Sequence, residues 1–424
     1  MNKQILKIYT KINLLCVPIG IIIGILCAIF TFGLNLVTSI RNNYTLYVIP
    51  FLCVVGLIIV FINEKFDDKE ISVKSGMKLV FMCGQNKKNK IPLILIPLVS
   101  ISTWLSNLCG GSCGREGVAV QIGATFSKRF SQYVDYNKSN EIFTIAGIGA
   151  GFSAMFQTPL AGIFFALEVL TIGKIKIFAI CPTIVESIVA YLAARFLFLE
   201  VENYDTINFN FVNLNEGFNV NYILILQVMI AAVLFAIVGD LFSTTLERCK
   251  TLYEKYVKNK YIGIFISGII LSILFLSLHF GRYSGTGSNL ILLCFANDNV
   301  DGIYIYDFIL KAVLTILTLS VGFYGGEVTP LFTIGATFGF ILAKAFGIDT
   351  GFLASLGFIS VFASATNTVL CPIFLGIEVF GLHNLPFYVL SVVIAYFMNF
   401  NKSIYYQEEI IETNNKKKID FFQV

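Results

Sequence analysis

The sequence predicts an all-α polytopic membrane protein made of two related halves, with broken and re-entrant helices inside each. Composition is the first reason: 56% of the 424 residues are hydrophobic and 13% are charged, with a mean hydropathy of +0.80. Soluble domains carry about twice that share of charge. The second reason is a set of uncharged runs: Leu14 to Ile40, Asn42 to Asn63, Ile91 to Gly114, Ile142 to Leu167, Tyr261 to Gly281 and Gly351 to Ile377. Each is expected to cross about 30 Å of hydrocarbon. The third is an internal repeat. Gly76-Met77-Lys78-Leu79-Val80 aligns with Gly287-Ser288-Asn289-Leu290-Ile291 at an offset of 211 residues. The same offset, within a residue or two, aligns Ile122-Gly123-Ala124-Thr125-Phe126 with Ile334-Gly335-Ala336-Thr337-Phe338.

Residues 1–12 read as a cytoplasmic N-terminus. Lys3, Lys7 and Lys11 lie there, and positive residues beside short loops favour the cytoplasmic side. The first apolar run starts too late and runs too long for a cleavable signal peptide. Residues 13–199 form the first membrane repeat, and the Lys87, Lys88 and Lys90 loop within it also reads as cytoplasmic. Val118 to Ser127, Leu290 to Ala296 and Val328 to Leu342 are too short or interrupted to span alone, so half-helices buried in protein are expected there. Residues 200–221, rich in Asn and acidic residues, read as an extramembrane linker. Residues 222–405 form the second repeat, and 406–424, with Lys416, Lys417 and Lys418, a cytoplasmic tail. The halves end alike, in Phe165-Ala166-Leu167-Glu168-Val169 and Leu375-Gly376-Ile377-Glu378-Val379. Glu168 and Glu378 are therefore expected to be caps or interface residues.

The net charge of +4 comes from termini and loops and gives no reason to expect nucleic acid. The ten cysteines lie mostly in apolar runs and read as small buried hydrophobes. Cys109 and Cys113 could form a redox or metal pair, but the only histidines, His279 and His383, are remote in sequence. A zinc site usually wants four ligands. No metal and no cofactor is expected.

Glu116, in Gly114-Arg115-Glu116-Gly117, carries the most chemical information. A charge at the bilayer centre costs about 3 kcal/mol and is functional by default. Glu327, in Gly325-Gly326-Glu327-Val328-Thr329-Pro330, is its counterpart in the second half. A helix that begins inside the bilayer presents free N–H groups and the positive end of its dipole, which suits an anion. Four such ends are expected: after Ser75-Gly76, after Gly114 to Gly117, after Gly325-Gly326 and near Lys402-Ser403. Pro330 in a first helical turn loses no needed donor. A carboxylate hung on such an end can hold the anion's place when charged and leave it when protonated. That exchange couples an anion to a proton. Similarity between the halves does not decide whether they are parallel or inverted.

Four landmarks, Gly114-Arg115-Glu116-Gly117, Gly325-Gly326-x-x-x-Pro330, Gly287-Ser288-Asn289-Leu290-Ile291 and Lys402-Ser403-Ile404-Tyr405, together resemble the CLC anion channel and transporter family. The resemblance covers essentially the whole membrane part. It implies a CLC-like fold with two antiparallel, inverted halves, one pore per subunit and a homodimer in the cell membrane. It implies that Glu116 is the gating glutamate and that the Tyr405 hydroxyl faces the anion. Departures from the family are informative. Chloride-handling members carry Gly-Ser-Gly-Ile-Pro where this chain has Lys74-Ser75-Gly76-Met77-Lys78, with Met77 in the serine's place. Val118 replaces a proline, Glu327 and Thr329 add an acid and a hydroxyl, and Val169 stands where the internal proton glutamate would fall. This combination is similar to the fluoride/proton antiporter branch.

A proton-coupled fluoride exporter with a gating glutamate at a midplane anion site is therefore expected. Glu116 and Glu327 are the expected gating and proton residues. Met77, Gly76, Gly117, Val118, Val328, Thr329 and Tyr405 are the expected anion-binding residues. Fluoride is small and gives up water reluctantly, so it needs strong donors: backbone N–H, the Thr329 hydroxyl and the Tyr405 phenol. The rivals are a chloride/proton exchanger and a passive anion channel, which has no need of a second acid. A membrane enzyme using Glu116 and Glu327 as an acid/base pair would need a nucleophile or metal beside them, and no catalytic or metal residue is expected. The expected partners are fluoride or chloride, protons, the lipid bilayer and a second copy of the chain.

Overall fold

Gly, Pro and Asn punctuate the apolar runs, and the helices between them are of unequal length. The computed structural model describes residues 3–66, 76–87, 90–197, 212–213, 219–220, 222–296, 302–399 and 402–407. The first half holds α1 (Lys3–Asn43), a single turn α2 (Thr45–Val48), α3 (Leu52–Phe66), α4 (Gly76–Gly84), α5 (Leu95–Leu108), α6 (Glu116–Lys128), α7 (Ser139–Phe156), α8 (Pro159–Glu168) and α9 (Ile180–Phe196). The second holds α10 (Tyr222–Tyr256), α11 (Lys260–Ser277), α12 (Ser288–Phe295), α13 (Asp307–Ser320), α14 (Val328–Phe346), α15 (Thr350–Thr366), α16 (Leu370–Phe380) and α17 (Leu385–Met398). From α4 and α12 onward the two halves repeat element for element. Between the halves, β1 (Val212–Asn213) pairs antiparallel with β2 (Asn219–Val220). Lys74, Ser75, Lys88, the rest of the expected linker and the tail beyond Gln407 lie outside the described residues.

The halves are inverted. The start of α1 lies beside two short 3-10 turns, Arg129–Tyr133 after α6 and Ile177–Ala179 before α9: Lys11 Nζ donates to Tyr133 O at 2.8 Å and Tyr9 Oη to Phe178 O at 2.9 Å. This is the N-terminal face. The end of α1 lies on the opposite face, where Arg41 donates to Asn107 O at 3.1 Å. The hairpin through α2 turns the chain back along α3. Helix α11 packs antiparallel to α3, with Gly268 against Cys53, Gly56 against Ile264 and Ser272 Oγ donating to Ile49 O at 2.8 Å. Lys260, and with it the end of α10, therefore lies on the N-terminal face. The start of α10 lies opposite, where Gln227 donates to Phe346 O at 3.1 Å. So α1 and α10 run in opposite directions. Helix α6 likewise runs from the centre to the N-terminal face, and α14 from the centre to the other.

Equivalent residues meet across this pseudo-two-fold axis. Gly114 and Gly326 form an antiparallel bridge, with N–H···O distances of 2.6 and 2.9 Å. The Phe164 and Phe374 rings stack at 4.4 Å. Glu168, at the end of α8, accepts the first N–H groups of α16 from Val369, Leu370 and Cys371 at 3.0–3.3 Å. Glu378, near the end of α16, accepts those of α8 from Leu160 and Ala161 at 2.9 Å. Each half thus caps the other's helix start, satisfying orphan donors that lipid could not. Within each half, α6 crosses α7 at Gly123 and Gly147, and α14 crosses α15 at Gly335 and Gly357. A Cβ at any of these would press on the facing glycine carbonyl, the small-residue contact typical of membrane helices.

Three expected spans are corrected. Ile142 to Leu167 and Gly351 to Ile377 each divide into two helices, because Gln157 and Asn367 adopt left-handed φ of 59° and 56°. Only Leu95–Leu108 of the Ile91 to Gly114 run is α-helical. Helix α14 (Val328–Phe346) extends past the expected Leu342 and is long and apolar enough to cross a membrane, although it starts at the centre; Ile177–Phe196 and Tyr222–Tyr256, which were not among the expected spans, meet the same standard. Six helical segments among the described residues meet that standard. Residues 3–12, expected as a separate N-terminal stretch, are the helical start of α1.

Candidate anion and proton site

Two loops return from opposite faces to the centre and cross there. Residues 109–115 descend from the far end of α5 and deliver Glu116, the first residue of α6. Residues 321–327 return from the N-terminal face and deliver Glu327, the residue preceding α14. The Gly114–Gly326 bridge ties the loops at their crossing. Cys113 packs against Gly325, whose φ is +157°, so a small side chain is needed at both positions. Cys109 and Cys113 are buried thiols in this close packing.

Glu116 is 1% exposed. Its Oε2 accepts the Thr329 N–H at 3.1 Å and the Arg115 N–H at 3.1 Å. Its Oε1 has no hydrogen-bond partner. The carboxyl group of one half therefore sits on the N-terminal turn of α14 from the other. Thr329 lies in that turn with Pro330 beside it. The Thr329 hydroxyl is buried without a hydrogen-bond partner, although its carbonyl accepts Thr333 Oγ1 at 3.0 Å. Glu327 does not cap α14 with its side chain. It turns toward α10, where Lys250 Nζ donates to its Oε1 at 3.2 Å.

The other expected residues surround this crossing. Gly76 opens α4 and Met77 follows; the Met77 methyl lies in contact range of Gly117. Val118 and Val328 are buried in the first turns of α6 and α14. Tyr405 is 7% exposed. Its ring stacks on Phe81 of α4 at 5.1 Å and meets Phe165 of α8 edge-on at 5.9 Å. Both Glu327 and Glu116 lie within electrostatic reach of its hydroxyl. The residues on either side of 402–407, where the fourth expected helix end would also fall, lie outside the described residues, and residues 402–407 themselves hold no helix start. That backbone is already engaged, Ile404 N–H with Ala365 O at 2.9 Å and Tyr405 N–H with Ser403 Oγ at 3.1 Å.

Sequence reasoning missed three polar residues here. Gln121, one turn after Gly117, donates to the Gly117 carbonyl at 3.0 Å and leaves its buried Oε1 unpartnered beside Gly76. A polar residue in the apolar start of α6 was a readable signal. Lys311, fully buried, donates to Ser112 Oγ, Tyr283 O and Gly285 O at 2.9, 3.1 and 2.7 Å. It ties the loop that carries Glu116 to the loop before α12, and a lysine inside an apolar helix was also a visible clue. Lys250 gave no such sign, since it stands in the charged end of α10.

Comparison with known proteins agrees with this arrangement. The family described as voltage gated chloride channel matches residues 55–399. A protein of Pseudomonas syringae pv. tomato named chloride/fluoride channel protein is 30% identical over 402 residues, covering 92% of this chain and 85% of its own. The crystal structure of a CLC-type fluoride/proton antiporter superposes with a TM-score of 0.89 at 40% identity, covering 95% of this chain and 98% of that one. A slow cyanobacterial Cl-/H+ antiporter superposes with a TM-score of 0.76 at 18% identity over 92% of this chain and 94% of its own, a likeness of fold.

Proposed function

The chain belongs to the voltage-gated chloride channel family, and on that premise we propose that it is a proton-coupled fluoride exporter gated by Glu116. One contact carries the reading: the Glu116 carboxyl on the Thr329 N–H at the start of α14, beside a buried hydroxyl that no protein group hydrogen-bonds. A helix N-terminus favours an anion. The charged carboxylate fills that place. Protonation removes the charge the helix end prefers, and the side chain leaves. Fluoride then takes the Thr329 N–H and hydroxyl, with Gly117, Val118 and Val328 allowing close approach of backbone. Met77 and Gly76 line one side, and the Tyr405 hydroxyl faces the ion from the α4 side. Glu327 is the second proton carrier, because Val169 cannot ionise. The repeats 13–199 and 222–405 each supply one carboxylate at a helix start. The protein works as a homodimer in the cell membrane, with its N-terminal face and both termini in the cytoplasm.

The likeness to a fluoride/proton antiporter at 40% identity supports fluoride over chloride. The test is anion efflux from proteoliposomes loaded with fluoride or chloride. Fluoride efflux well above chloride efflux is expected. Chloride efflux equal to or faster than fluoride would leave the chloride/proton exchanger as the better reading. Met77→Ser sharpens the choice: selectivity moves toward chloride if Met77 lines the fluoride path, and stays put if it does not.

A further inference from the structure

We propose that Lys250 captures the transported anion on the N-terminal face and delivers it to the site as Glu327 releases its ammonium group. This rests on the anion–proton exchange reading above. The two carboxylates of the crossing are held in different ways. Glu116 is 1% exposed and bonded to backbone N–H groups. The Glu327 side chain is 14% exposed and paired with a lysine that is 38% exposed. Lys250 stands about two turns before the end of α10 at Tyr256, hence roughly 9 Å inside the N-terminal face. Glu327 is reached through residues 321–327, which return from that same face. The ammonium therefore lies between water and the start of α14, on the side opposite the loop that delivers Glu116.

Structural tying alone is a weak reason for the pair. Ion pairs at such exposure contribute little to stability, and α10 is already anchored, for example by Ser364 Oγ donating to Ala236 O at 2.9 Å. The neighbouring charges on α10, Glu247, Arg248, Glu254 and Lys255, are all exposed, so Lys250 is the cation turned toward the site. A cation at the mouth of a low-dielectric passage concentrates anions there. While Glu327 is charged, it occupies the ammonium. When Glu327 takes up a proton, the ammonium loses its anionic partner and pairs with the incoming anion instead. The one covalent change is the O–H bond that forms on the Glu327 carboxyl as the proton's donor gives up its own. The proton rests on Glu327 and the negative charge beside Lys250 is now the halide.

The experiment measures initial transport rates in proteoliposomes, with the anion step applied separately on the N-terminal face and on the opposite face. It uses whichever halide the unmodified protein moves, so loss of fluoride selectivity and loss of this proposal are separate results. Lys250→Gln is expected to raise the KM on the N-terminal face about tenfold. The KM on the opposite face and the maximal rate should change far less, and Lys250→Arg should bring the KM back. Unmodified protein supplies an independent arm that needs no variant to fold. Raising ionic strength should weaken capture on the N-terminal face more than on the other. Equal KM changes on both faces in Lys250→Gln, or equal salt dependence on both, would overturn the proposal.

Discussion

The buried hydroxyl of Thr329 and the buried carboxyl of Glu116 are neighbours that do not satisfy each other. Of Thr329, only the N–H reaches the carboxyl, and Oγ1 of Thr329 and Oε1 of Glu116 have no partner. Buried polar atoms without partners cost about 1–3 kcal/mol each, so their persistence at one spot suits a site that an ion visits. Thr329→Val should therefore weaken fluoride transport more than chloride transport while leaving folding intact; equal losses for the two ions would reduce Thr329 to packing. Glu327→Gln should slow fluoride turnover at least tenfold, while size-exclusion elution shows unchanged assembly. A wild-type rate would remove Glu327 from the mechanism. At this scale the sequence was generous. Glycines flank both acids, and the unlike neighbours Met77 and Thr329 stand at fixed steps from helix starts. It was silent on Lys250, because a lysine among charged residues near a helix end carries no mark of what it faces.

The helices were less legible than the residues. Hydropathy marks where the chain is apolar, yet it does not mark where backbone direction changes. The runs around Gln157 and Asn367 held no charge to warn of a break, and the left-handed turn at each is visible only in the backbone. In α9 the opposite happened: Glu186 looks like an interruption, but the helix packs it away, with Ser127 Oγ donating to it at 3.1 Å. The reciprocal caps by Glu168 and Glu378 were expected as caps or interfaces from their matching positions. Their exchange across the halves needed the three-dimensional structure. Glu378→Ala removes two acceptors from the start of α8 and should lower stability by about 1–3 kcal/mol, read as a fall in thermal unfolding temperature in detergent. Glu378→Gln keeps an acceptor and should fall less. Equal losses in the two variants would show that charge, not the cap, is what α8 needs.

Across the whole molecule, inversion is what lets two similar sequences do different work. The two-fold axis brings Gly114 to Gly326 and Phe164 to Phe374, so like parts approach one centre from opposite faces. One acid then faces amide donors from one side and the other faces a lysine from the other side. Similarity alone could not give this, since parallel and inverted repeats read identically along a chain. Single cysteines at Lys87 and at Tyr256 should react with an impermeant thiol reagent from the same side of the membrane, and a cysteine at Tyr44 from the other; any other distribution contradicts the inversion. The central claim, that a carboxyl at position 116 trades places with a halide, is tested most directly by recording pH outside proteoliposomes loaded with fluoride. Outward fluoride movement should draw protons in and raise the external pH, the reverse of what escaping hydrogen fluoride does, and Glu116→Gln should abolish the rise. A full pH rise in the Gln variant, or none in the unmodified protein while fluoride leaves, would contradict the account.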